Sequence, residues 1–129
     1  MRLPHVQIRL ILPDGKSFGP GKAELLDHID RLGSISAAGR AMKMSYKRAW
    51  SLVEEMNAGF VTPLVMAERG GSDRGGARVT DLGRAVLASY NRLIGAVQGT
   101  GELEFVAERL KPAGKSLSEG AAPDMFDQT

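Results

Sequence analysis

Two serines, Ser34 and Ser45, each open a short stretch of helical periodicity, and this pairing constrains the fold more than any other feature of the chain. Ser34 precedes Ile35, Ala37, Ala38, Ala41 and Met42, a run of small and apolar residues that it can cap. Ser45 can cap a second helix in which Ala49, Val53, Met56 and Phe60 recur at helical spacing and can face a core. Tyr46, Lys47, Trp50 and Ser51 are then left on other faces. The spacing predicts two helices meeting at a tight turn. No acidic residue occurs between Asp30 and Glu54, while Arg31, Arg40, Lys43, Lys47 and Arg48 do. A second helix whose exposed first turn is basic and rich in hydrogen-bonding groups suits entry into a DNA major groove.

The flanking residues extend this pattern. Leu64 to Glu68 reads as a strand, Arg69 to Gly76 as a flexible loop, and Ala77-Arg78-Val79 as a returning strand. A helix-turn-helix followed by such a hairpin is the winged arrangement. Arg69, Arg74 and Arg78 lie in or beside a loop with four glycines, which allows close approach to a sugar–phosphate backbone. Upstream, His5 to Leu12 alternates as a strand with one buried face, Pro13 to Lys16 turns, and Ser17-Phe18 returns. Pro20 suits the first position of the next helix, Leu25, Leu26, Ile29 and Leu32 form its apolar stripe, and Gly33 can stop it in a left-handed conformation. Gly39 costs its own helix about 1 kcal/mol relative to Ala, for which close approach of a neighbouring backbone would compensate.

Downstream, Thr80 or Asp81 caps a longer helix. Leu82, Val86, Tyr90, Leu93 and Val97 form its stripe, with Ala85, Leu87 and Ile94 beside them. The stripe exceeds what a small winged domain needs, so it is read as a dimer contact. The plainer alternative is that it covers the first helix and the N-terminal hairpin. A short amphipathic helix over 102–110 follows, and after Pro112 the composition turns to Gly, Ser, Ala, Pro and acids, which predicts disorder. The expected organisation is an α+β winged helix-turn-helix domain with its dimerisation helix over residues 1–100, and a short helix with a disordered acidic tail over 101–129.

At 129 residues the chain is expected to form a single domain around one core. It contains no cysteine, which excludes disulfide scaffolds, thiol nucleophiles and thiolate metal sites. No signal peptide or bilayer-length apolar run is present, so a cytoplasmic protein without membrane contact is expected. Residues 1–99 hold 14 Lys/Arg against 9 Asp/Glu, and residues 100–129 hold 3 against 6, so a basic body precedes an acidic end. Basic character is the usual footprint of nucleic-acid binding. Enzyme readings fare badly. Gly15-Lys16-Ser17 lacks the glycine five residues earlier that a phosphate loop needs, since Leu10 stands there, and the two histidines, His5 and His28, have no metal-ligand spacing. No catalytic residues, metal ligands or cofactor site are expected.

The candidate DNA-contacting residues are Ser34, Ser36, Arg40 and Lys43, then Ser45, Tyr46, Lys47, Arg48, Trp50 and Ser51 in the second helix, and Arg74 and Arg78 in the wing. Each has a plainer reading. Trp50 could be partly buried under the wing, Lys47 and Arg48 could form a solvated face, and the loop arginines could merely keep a hairpin tip soluble.

Gly33-Ser34-Ile35-Ser36, Met44 to Trp50, Glu55-Met56-Asn57, Pro63-Leu64-Val65 and Gly75 to Thr80 together resemble the N-terminal DNA-binding domain of ModE-type molybdate-responsive regulators. That domain is in turn similar to the winged helix-turn-helix of LysR-type regulators. The match runs from about Val6 to Tyr90. The resemblance implies a homodimer that places one recognition helix of each subunit in successive major grooves of double-stranded DNA. It assigns Ser45, Tyr46, Lys47 and Trp50 to the recognition helix and Arg74 and Arg78 to the wing. Regulators of this type continue into small β-barrel domains that bind molybdate. A chain stopping at Thr129 resembles the short stand-alone members, with no molybdate effector site evident, and an effector or effector-binding partner is left open. The expected function is sequence-specific regulation of transcription, with genes of molybdenum transport or molybdoenzymes as targets. The alternatives are a winged protein-interaction module and direct oxyanion binding at a helix N-terminus near Ser45.

Overall fold

The alternation of the N-terminal segment survives folding: Val6, Ile8, Leu10 and Leu12 are half-buried, while Gln7, Arg9 and Ile11 face solvent. This is seen in a computed structural model that describes residues 4–68 and 76–112. Only β1 (Leu10–Ile11) forms a ladder, antiparallel with β2 (Ser17–Phe18), in the register Leu10 to Phe18 and Ile11 to Ser17. The predicted strand over His5–Leu12 is therefore shorter than expected. Its partner runs for two residues before Gly19 and Pro20 begin a helix, so the earlier residues have no ladder to join. The connecting turn is closed by Leu12 N–H donating to the Lys16 carbonyl at 2.8 Å, and it uses Gly15 at φ 86°.

Helix α1 (Pro20–Leu32) starts with proline in its first turn and ends at Gly33, whose φ of 71° lets its N–H reach the Ile29 carbonyl at 2.8 Å. Leu25, Leu26 and Ile29 on this helix are fully buried. Each contributes about 2 kcal/mol by leaving water. Helix α1 packs against every later helix of the winged unit, which makes it the centre of the core. Around it stand α2 (Ile35–Ala41) and α3 (Tyr46–Gly59). Ser34 and Ser45 cap these two as the sequence suggests, accepting from Ala37 N–H at 3.1 Å and Arg48 N–H at 3.0 Å. A Cβ on Gly39 would stand 3.2 Å from the Ala49 Cβ and 3.5 Å from the Met44 carbonyl oxygen, so the tight approach there is to a side chain of α3 and not, as expected, to backbone. Between the helices Lys43 adopts φ 59°, a left-handed conformation usually given to glycine.

The wing comprises β3 (Val65–Ala67) and β4 (Ala77–Val79), paired antiparallel from Val65 with Val79 to Ala67 with Ala77. Its base is tied to the α1–α2 junction by Ala77 N–H donating to the Gly33 carbonyl at 3.0 Å. Helix α4 (Asp81–Gln98) is capped by Thr80, whose hydroxyl accepts from Gly83 N–H at 3.0 Å and lies 2.8 Å from the Pro63 carbonyl, to which it donates. Residues 5–99 form one compact unit and the rest a second. The second contains α5 (Glu102–Ala107), three residues shorter than the predicted helix, with the Arg109 guanidinium 3.7 Å above the Phe105 ring. The tail expected to be disordered lies beyond residue 112, outside the described residues. Among the described residues no helix is long and apolar enough to cross a membrane.

One residue assigned to the α4 dimer stripe belongs elsewhere. Tyr90 is buried, its ring edge-on to Phe18 at 5.3 Å, and its hydroxyl donates to the Ile8 carbonyl at 2.6 Å. It fastens α4 to the N-terminal segment and cannot also contact a second subunit. Leu82, Val86, Leu87 and Ile94 are half-buried against the core, whereas Leu93 and Val97 remain 46% and 40% exposed.

Two outcomes are expected. A Cβ on Gly83 would stand 2.4 Å from the Leu64 carbonyl oxygen, which is backbone and cannot yield, so Gly83→Ala should lower stability by about 2–3 kcal/mol in a denaturant melt. The buried Lys22 ammonium lies 2.9 Å from Glu55 Oε1 and donates to the Ser17 carbonyl at 2.7 Å. The hydrogen bond from Lys22 holds the Glu55 carboxyl below its ordinary pKa of 4.5, with partial burial opposing. Because the folded pKa is depressed, the stabilisation is complete above pH 4.5 and is lost as pH falls through the lower, folded value. Glu55→Gln should remove that acid-sensitive component, seen as a flatter profile of melting temperature against pH.

Candidate nucleic-acid interface

The first turn of α3 stands clear of the core. Ser45, Tyr46, Lys47 and Arg48 are all exposed, with Tyr46 half accessible. The buried face of the same helix is carried by Ala49, Leu52, Val53 and Met56, so amphipathicity alone points the opposite side outward. Arg40 in the last turn of α2 and Lys43 in the connecting turn are exposed beside it. None of Arg40, Lys43, Lys47 and Arg48 comes within 4.0 Å of a carboxylate among the described residues. Elsewhere the chain pairs its cations: Arg31 with Asp27, Arg84 with Asp30, and Lys22 with Glu55. The acid-free stretch of sequence thus leaves these four cations without an ion-pair partner among the described residues.

Trp50 lies one turn on, half-buried against the core, and meets Tyr46 edge-on with ring centroids 6.3 Å apart. The pair forms an aromatic ridge along the outer side of α3, while Ser51 is half-buried. Ser36 is half-buried too, with its hydroxyl 3.1 Å from that of Ser34. Ser34 itself is buried, caps α2 and bridges to Gly76 of the wing. Its hydroxyl is committed to the fold, so its assignment as a DNA contact is corrected to that of a cap.

On the wing, Arg78 is exposed and pairs with Glu68 at 3.3 Å. An exposed pair of this kind is worth at most about 1 kcal/mol, so the guanidinium is free to exchange partners. Arg69 and Arg74 lie outside the described residues. Among the described residues no group of three or more His, Cys, Asp or Glu could hold a metal ion.

What positions the wing against α3 is Asn57, which the resemblance includes in Glu55-Met56-Asn57 without giving it a role. Asn57 Oδ1 accepts from Leu64 N–H at 2.8 Å and Val65 N–H at 3.1 Å, while its Nδ2 donates to the Val65 carbonyl at 3.0 Å. One amide therefore holds the start of β3 as an adjacent strand would. The available signal was an asparagine beside Met56 and four residues after Val53, a polar group bordering the buried face of a helix. Thr80 grips the same segment from the other side, its N–H donating to the Leu64 carbonyl at 2.9 Å. Asn57→Ala should cost about 2–4 kcal/mol, because it removes three bonds and strands two backbone donors. Asn57→Asp should recover only part of that loss, since it keeps the acceptor and sets a carboxylate against the Val65 carbonyl. Thermal melts of the two variants measure the difference.

No family model matches the sequence. The chain is similar to the molybdenum transport protein ModE of Azotobacter vinelandii, 35% identical over 96 residues that make up 74% of this chain and 35% of that protein. It is 31% identical to the transcriptional regulator ModE of Haemophilus influenzae over 72% of this chain and 36% of that protein. It is also 43% identical to the molybdenum-pterin-binding protein MopA of Rhodobacter capsulatus, over 61% of this chain and 30% of the relative. The chain thus spans about a third of the length of these relatives. Among solved structures, the DNA-binding domain of CbnR in complex with DNA matches 69% of this chain and 97% of its own length, with a TM-score of 0.52 at 19% identity. A LysR family transcriptional regulator matches 84% of this chain and 39% of its own length, with a TM-score of 0.50 at 20% identity. The chain is a winged helix-turn-helix protein, ModE-like in sequence and sharing its fold with a LysR family regulator.

Proposed function

We propose that this protein is a sequence-specific, DNA-binding regulator of transcription that acts as a homodimer on genes of molybdenum transport or molybdoenzymes. The observation that carries the reading is the exposed first turn of α3, where Lys47 and Arg48, with Arg40 and Lys43 alongside, have no carboxylate within 4.0 Å among the described residues. Four cations without an ion-pair partner among the described residues repel one another, and a polyanion relieves that repulsion. The relatives named as ModE regulators and the fold shared with a DNA-bound domain support the same reading.

In this arrangement Arg40, Lys43, Arg74 and Arg78 hold phosphates and fix the orientation, with Lys47 shared between phosphate and base. Tyr46, Arg48 and Ser51 reach base edges, and the Tyr46–Trp50 ridge meets thymine methyl groups. The exposed Leu93 and Val97 of α4, with the half-buried Leu82 and Val86 earlier on the same helix, would join two copies. A dimer presents two α3 helices to half-sites one helical turn apart or a multiple of it.

Binding-site selection from random duplexes with the purified protein tests this directly, and the expected product is an inverted repeat. Enrichment of no motif would instead favour a protein-interaction module. On the selected site Lys47→Ala should weaken binding by about 1–3 kcal/mol, and Lys115→Ala should leave it unchanged. Equal affinities in a fluorescence titration of the two variants would sink the assignment.

A further inference from the structure

The wing carries a sulfur and a guanidinium side by side. Met66 on β3 and Arg78 on β4 stand directly opposite each other in the antiparallel register, so their side chains share one face. Val65, Ala77 and Val79 are buried, whereas Met66 and Arg78 face solvent. Arg78 Nη2 donates to Met66 Sδ at 3.8 Å, while its Nε meets Glu68 at 3.3 Å. Both side chains line a cleft of about 360 Å³, together with Thr62 and Pro63 ahead of the wing and Leu82 at the start of α4. Small molecules therefore reach the sulfur.

Composition and exposure single this sulfur out. The chain contains no cysteine, so methionine is its only side chain that a two-electron oxidant converts reversibly. Of the methionines among the described residues, Met56 is buried and Met42 and Met44 are half-buried, while Met66 is 44% exposed. A thioether is a weak acceptor, so the contact with Arg78 is weak as it stands. In one of the two sulfoxide epimers, an oxygen added to Sδ falls inside the 3.8 Å gap and faces a full positive charge. The weak contact then becomes a charge-assisted hydrogen bond, with roughly twice the strength of a neutral one.

We infer that Met66 is a peroxide-sensitive modification site that switches Arg78 between the duplex and the wing. The inference rests on the DNA-binding reading, in which Arg78 holds a phosphate. In the step itself, the Met66 sulfur lone pair attacks one oxygen of hydrogen peroxide and the O–O bond breaks. The departing hydroxide takes the proton of the transferred oxygen and leaves as water; sulfur loses two electrons and peroxide gains them. The sulfoxide oxygen then accepts from Nη2 while Glu68 keeps Nε, so the guanidinium is held at two points along the strand face. The existing ion pair does not have to break. A guanidinium held in this way is withdrawn from the phosphate, and the wing loosens its grip on the duplex. Methionine sulfoxide reductases reverse the change.

The full chain is treated with hydrogen peroxide, oxidised methionines are located by peptide mass spectrometry, and affinity for the selected duplex is titrated before and after. Met66 should take up one oxygen ahead of Met42, Met44 and Met56, with the melting temperature unchanged because the oxygen is added on an exposed face. Affinity should then fall about two- to fivefold, and the slope of log affinity against log salt should shrink by about 0.9, the loss of one phosphate contact. Methionine sulfoxide reductase should restore both. Met66→Leu should bind as the untreated wild type does and keep its affinity in peroxide. Met66→Gln sets an amide oxygen where the sulfoxide oxygen would stand and should show the oxidised affinity without any oxidant. Arg78→Ala should start weaker and lose nothing more. Unchanged affinity after Met66 is oxidised overturns the switch, as does an equal loss in Met66→Leu or Arg78→Ala. If Lys47→Ala weakens binding while Met66→Gln does not, the switch alone falls. If the wild-type chain binds no duplex, the DNA-binding reading falls with it.

Discussion

The geometry of the interface depends on one carboxamide. Apolar packing buries α3 and gathers the wing near it, but it is non-directional and does not set how one backbone lies against another. Asn57 supplies the direction, because its two acceptor bonds and one donor bond address consecutive backbone groups of Leu64 and Val65. Thr80 completes the grip, and through its cap on α4 the same segment fixes where the last helix of the unit begins. Gly83 then lets α4 come so close to the Leu64 carbonyl that no side chain fits between them. Helix α3, wing and final helix are thus referenced to three residues of backbone, Pro63 to Val65.

Charge is divided just as sharply. Where a cation serves the fold it has a partner: Lys22 meets Glu55 and Ser17, and Arg84 meets Asp30. Where cations cluster on the α2–α3 edge, they have none among the described residues. Surface ion pairs contribute little stability, so leaving these groups unpaired sacrifices little. Under the proposed function, an incoming anion would not first have to displace a carboxylate there.

The parts of this fold that are legible in sequence are the local ones. Ser34, Ser45 and Thr80 cap their helices, Gly33 ends α1 in a left-handed turn, and Gly39 marks a close approach, because each depends on neighbours a few residues away. The exposed basic turn of α3 was legible for the same reason: helical spacing assigns its faces. What could not be read depends on distant partners. Tyr90 sits at a stripe position and looks like interface, but its hydroxyl is claimed by Ile8 across the unit. Ser34 looks like a polar contact until Gly76 arrives beside it. The N-terminal strand is short because its partner gives way to α1, which alternation in one strand does not reveal.

Lys43 carries a further implication. A non-glycine residue held at φ 59° raises the energy of the folded state by roughly 1 kcal/mol, and asparagine or glycine there would relax the bend. Both would also discharge it. The hinge between the two motif helices is therefore a place where robustness and electrostatic pull oppose each other. Any drift toward a sturdier bend at this corner would remove a positive charge from the α2–α3 edge.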